Sequence, residues 1–66
     1  MNKYILRDEI DLSKYNITKM ANKTGISRPT LYNIMNKKQP TNKPYAYMIT
    51  KFISSEKEIN DFFKLI

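Results

Sequence analysis

The sequence predicts an all-α fold of five short helices, and three observations carry that expectation. Apolar residues recur at spacings of three and four. No window alternates β-branched with polar residues, and no Asn-Gly or Asp-Gly pair marks a hairpin. The one glycine and three prolines fall where helices would end or begin. With 66 residues, the chain is read as a single small domain spanning 1–66.

The first helix is expected over about Lys3 to Ile10, with Ile5, Leu6 and Ile10 as its buried edge. Asp11, Ser13 and Asn16 favour a turn, and Asn16 is a good N-cap for a second helix, Ile17 to Thr24. Gly25 follows at once, where a left-handed residue would end that helix. Ile26 is a short apolar link. Ser27 or Arg28 then caps a third helix running to about Asn36, with Pro29 in the first turn, where its missing N–H costs nothing. Residues 37–43 are polar and read as a loop. Pro44 opens a fourth helix, Tyr45 to Ile53, burying Tyr45, Met48, Ile49 and Phe52. Ser55 and Glu58 have the spacing of a capping box for a fifth helix ending near Leu65, with Ile59, Phe62, Phe63 and Ile66 as its apolar residues.

Composition narrows the function. There is no Cys and no His, so disulfides, thiolate zinc sites and the usual general base or thiol nucleophile are missing, and an enzyme is not expected. Asp8, Glu9 and Asp11 lie close in sequence but have no such partner and read as solvated charge. No metal site or cofactor is expected. No run approaches the ~18–20 apolar residues of a membrane-spanning helix. The start, Met1 to Asp8, loses its apolar run after two residues, unlike a signal peptide, and a cytoplasmic protein is expected.

The net charge is +6, but it is unevenly spread. Residues 12–55 hold eight lysines and arginines and no acid, a net of +8, while 1–11 and 56–66 each sum to −1. A solvated surface normally mixes signs. A long stretch of one sign points to a polyanion, either nucleic acid or an anionic membrane surface.

The most informative segment is Asn16 to Asn36. Met20 and Ala21 pack inward, a small residue at Ala21 lets a second helix cross closely, Gly25 supplies the turn, and Ile26 fills the angle between the helices. Leu31 and Ile34 anchor the second helix, leaving Ser27, Arg28, Thr30, Tyr32 and Asn33 outside, none acidic. This stretch resembles the helix-turn-helix of the Cro and CI repressor family, also described as XRE-like. The phrase Thr24-Gly25-Ile26-Ser27-Arg28-Pro29-Thr30-Leu31 is especially close to that family's turn and recognition-helix start. Two positions depart from it: Thr24 replaces a more apolar residue, and Lys37 stands where many members have glycine.

The resemblance implies a lambda-repressor-like DNA-binding domain with its helix-turn-helix at about 17–36, acting as a transcriptional regulator of phage or mobile-element type. It places the helix 27–36 in the major groove, with its N-terminal residues nearest the bases. The base-reading candidates are Arg28, Asn33, Thr30, Pro29 and Ser27, with Arg28 suited to grip guanine O6 and N7. The phosphate-binding candidates are Asn16, Ile17, Lys19, Lys23, Tyr32, Asn36, Lys37, Lys38 and Lys43. Family members usually bind palindromic operators as two-fold dimers, and Ile59, Phe62, Phe63 and Ile66 are the candidate interface. No small-molecule ligand is implied, and the site of action would be the bacterial nucleoid or a phage-infected cell. A competing reading is a phage anti-CRISPR or other inhibitor protein that uses such a domain to control its own promoter. A basic amphipathic membrane binder fits less well, because a surface helix needs neither the Gly25 turn nor an inward Ala21.

Overall fold

The computed structural model describes residues 3–11, 14–36 and 39–66. Their order is β1 (Tyr4–Leu6), α1 (Ile17–Thr24), α2 (Arg28–Asn36), α3 (Lys43–Ile53), α4 (Ile59–Phe62) and β2 (Phe63–Leu65). Strands β1 and β2 pair antiparallel, with Tyr4 opposite Leu65, Ile5 opposite Lys64 and Leu6 opposite Phe63. The fold is therefore a small mixed α/β arrangement, not the all-α, five-helix, lambda-repressor-like one expected from the sequence.

Both chain ends account for the difference. Tyr4 and Leu6 are buried while Ile5 between them is only half-buried, a period of two rather than 3.6. Aromatic and β-branched side chains favour a pleated surface once a partner strand exists. That partner is the segment expected to finish a fifth helix. There only Ile59–Phe62 is helical, and the Ser55–Glu58 capping box does not start it. Instead the Asp61 carboxylate accepts from the Glu58 amide at 2.8 Å. Beyond Phe62 the chain extends: the Arg7 amide donates to the Phe62 carbonyl (2.9 Å) and the Ile66 amide to that of Lys3 (2.8 Å). The Arg7 side chain adds a clamp, with Nε donating to the Asn60 carbonyl at 2.8 Å. On the other side of β1, Tyr4 exchanges two backbone hydrogen bonds with Thr41, at 2.7 and 2.8 Å. The polar stretch expected to be only a loop thus adds a single-residue bridge on the other edge of β1.

The three middle helices follow local signals. Asn16 caps α1, its Oδ1 accepting from the Lys19 amide at 3.0 Å. Asn42 caps α3 in the same way, accepting from Tyr45 at 2.9 Å, with Pro44 in the first turn. Every element but α4 contributes to the core: Tyr4 and Leu6 from β1, Met20 from α1, Ile26 from the turn, Leu31, Ile34 and Met35 from α2, Ala46 and Ile49 from α3, and Phe63 from β2. On α3 the innermost residues are Ala46, Ile49 and Thr50, while the expected Tyr45, Met48 and Phe52 are only half-buried.

Thr50 is wholly buried, and its hydroxyl has no hydrogen-bond partner among the described residues. A buried hydroxyl without a partner costs about 1–3 kcal/mol of desolvation. Valine has nearly the same shape and a similar helix propensity. Thr50→Val is expected to stabilise the domain by about 1 kcal/mol, read as a higher urea midpoint at unchanged slope.

Candidate nucleic-acid interface

Helices α1 and α2 are joined by the three residues Gly25, Ile26 and Ser27. Gly25 adopts φ 78°, ψ 6°, and its amide donates to the Ala21 carbonyl at 2.9 Å. An added Cβ would meet nothing within 4 Å there, so glycine is favoured by the backbone angle alone. Thr24, the departure from the usual apolar residue, has a defined task. Its hydroxyl donates to the Met20 carbonyl at 2.7 Å and accepts from the Ile26 amide at 3.2 Å. That holds Ile26, 1% exposed, in the angle between the helices. Thr24→Val removes both bonds and strands a backbone amide. A loss of about 1–2 kcal/mol is expected, measurable by thermal melting.

Ser27 caps α2: its carbonyl accepts from the Leu31 amide at 3.0 Å and its hydroxyl, more weakly, from the Thr30 amide at 3.4 Å. The Ser27 and Thr30 hydroxyls also lie 2.8 Å apart and share a hydrogen bond. Of the five base-reading candidates, these two therefore already satisfy one another, and Thr30 is half-buried. Leu31, Ile34 and Met35 form the inner face of α2. Pro29, Tyr32, Asn33 and Asn36, related by three- and four-residue spacings, form the opposite face, where Asn33 is half-buried and the other three are exposed. Tyr32 is 48% exposed. Tyr32 and Asn36, assigned to phosphates from the sequence, thus share a face with Pro29 and Asn33, assigned to bases.

Arg28 is exposed at the start of this face, and its Nη1 donates to the Thr18 hydroxyl at 3.4 Å. Sequence reasoning missed Thr18; its position as the second residue after the Asn16 cap was the available signal. The contact leaves most of the guanidinium's five N–H donors unused by Thr18. At the N-terminus of α1, Asn16 is occupied as a cap, and the first-turn amides of Ile17 and Thr18 lie beyond the reach of intrahelical bonding. Lys43 is the first residue of α3 and is exposed.

Lys19 and Lys23 are placed differently. They sit on the flank of α1 facing α3, where they line a groove with Tyr47, Met48, Lys51 and Phe52. Lys37 and Lys38 lie outside the described residues.

The candidate dimer residues also divide. Phe63 is 0% exposed and belongs to the chain's own core, so it presents no surface for a partner. Ile59 and Phe62 pack half-buried against that core. Ile66 is 59% exposed, and Leu65, not singled out from the sequence, is 54% exposed beside it.

No family model matches the chain, and no curated protein or solved structure is significantly similar to it. No helix among the described residues is long and apolar enough to cross a membrane.

Proposed function

We propose that this chain is a sequence-specific double-stranded DNA-binding transcriptional regulator, a repressor of phage or mobile-element type whose helix pair is similar to that of Cro and CI. The observation that carries the reading is the pair α1–α2, hinged on a left-handed Gly25, with Arg28 at the exposed start of α2 and Pro29, Tyr32, Asn33 and Asn36 along its outer face. The absence of any acid between residues 12 and 55 agrees with it. In this reading Arg28 and Asn33 meet base edges, while the amides of Ile17 and Thr18, together with Tyr32, Asn36 and Lys43, position the duplex through its phosphates.

A single such domain reads a half-site, so the protein acts as two copies on a palindrome. The outer edge of β2 has no strand partner among the described residues, and Leu65 and Ile66 are exposed along it. That edge is the proposed contact between copies. The setting would be the bacterial cytoplasm or a phage-infected cell.

In vitro selection from random duplex DNA tests the function. A palindromic consensus is expected, and a failure to enrich any sequence would refute the proposal. With Lys37, Lys38 and Lys43 neutralising roughly 3 phosphates per protomer, log K is expected to fall against log salt concentration with slope about −3 per protomer.

A further inference from the structure

On the far flank of α1 from Thr18, helices α1 and α3 border an open groove of about 600 Å³. Met48 and Phe52, one helical turn apart on α3, supply its apolar surface. Its basic side is Lys19 and Lys23, one turn apart on α1, and Lys51 on α3. No acidic side chain lines it. Lys51 is already fixed: its Nζ donates to the carbonyls of Lys57 (2.8 Å) and Ser55 (3.3 Å) and lies 5.5 Å from the centroid of the Tyr47 ring. Tyr47, at 51% exposed, stands beside it. The groove therefore combines an apolar floor, three positive charges and a positioned aromatic ring. Methionine in the floor adapts to side chains of different shape.

Two kinds of polyanion could answer three lysines, and the floor decides between them. A duplex presents phosphates and sugars to such a rim and has no use for Met48 and Phe52. An amphipathic helix rich in Asp and Glu uses both, inserting apolar side chains at three- and four-residue spacing between the lysines. The separation on α1 points the same way. Thr18 is in contact with Arg28 on the α2 side, whereas Lys19 and Lys23 turn toward α3. We propose that the α1–α3 groove is a docking site for an acidic amphipathic helix of a partner protein, distinct from the α2 face and independent of whether that face reads DNA.

The probe is a fluorescein-labelled synthetic helix with Leu and Phe on one face and Glu and Asp flanking them, titrated with the protein by fluorescence anisotropy at physiological salt. Saturable binding is expected, with amide shift changes in NMR spectra centred on α1 and α3. Lys19→Glu combined with Lys23→Gln should weaken it at least tenfold. Both positions are exposed, and a glutamate three residues after the Asn16 cap suits a helix start, so the variant should fold. A peptide of identical composition, scrambled so that no apolar face forms, should bind at least tenfold more weakly. Equal affinity for the scrambled peptide, or for the double variant, would overturn the proposal. So would duplex DNA that displaces the peptide while the double variant loses duplex affinity to the same degree, because the groove would then belong to a nucleic-acid surface. Duplex binding that survives in the double variant while peptide binding is lost supports two separate surfaces.

Discussion

Phe63→Ala is expected to unfold most of the protein at 25 °C. Phe63 is 0% exposed and packs in the core with Leu6 opposite it on β1. Removing a buried phenylalanine costs about 3–5 kcal/mol, part of it the transfer of apolar surface and part the cavity left behind. A domain of this size without disulfides or metal holds about 3–5 kcal/mol in total. The two figures are of the same size, so the variant has little stability left. Circular dichroism at 222 nm read against wild type checks it. The result also separates two uses of the C-terminal segment. On an interfacial helix, Phe63 could be lost with the monomer intact and only association weakened. In the β2 position the monomer itself fails. Leu65→Ser, on the exposed edge, should leave the monomer folded and reduce only the association of copies.

Arg28→Ala is expected to abolish discrimination between operator and random duplex at the base pair Arg28 meets. A bidentate arginine–guanine contact is worth about 1–3 kcal/mol of selectivity, or roughly 5- to 150-fold. The variant should fold normally, because Arg28 is exposed and its side-chain hydrogen bond to Thr18, at 3.4 Å, is long. Competition anisotropy with the selected site and a variant lacking that guanine gives the number. Lys43→Ala is the control. A phosphate contact weakens all duplexes alike and lowers the salt slope by about one. If Arg28→Ala instead lowered affinity for every duplex equally, Arg28 would be a phosphate ligand and the base-reading assignment would move along the face to Asn33.

The middle of the chain was legible because its punctuation is local. Asn16, Gly25 and Ser27 each act on residues within four positions of themselves: α1 begins and ends, and α2 begins, where those residues place them. The proline at Pro44 predicts a helix from Tyr45, two residues past the observed start, because the cap is Asn42 and not the proline. The ends were misread for the opposite reason. Tyr4 and Leu65 lie 61 positions apart in the chain, and each strand is three residues long, too short for any periodicity to declare itself. Tyr4-Ile5-Leu6 is helical or extended according to what lies alongside it. The same limit applied to Thr41, whose pairing with Tyr4 leaves no mark in a polar stretch. In the candidate site, helical geometry alone could have parted Lys19 and Lys23 from Thr18, since one residue turns 100° around α1. A sum of charge along the sequence carries no information on which face each lysine occupies, and these two face α3.

The pairing of Lys3 with Ile66 has a mechanical consequence. Strands β1 and β2 run antiparallel and leave Lys3 and Ile66, the ends of the described residues, at the same end of the ladder. A force drawing those ends apart acts across the strands and loads one rung at a time: first Ile66 to Lys3, and last Arg7 to Phe62. The sheet should therefore unzip at low force instead of shearing, and Phe63, at its inner rung opposite Leu6, is carried out of the core as it opens. Pulled from its ends, the molecule would surrender its sheet before its helices, while a pull between α1 and α3 would meet the packed core directly.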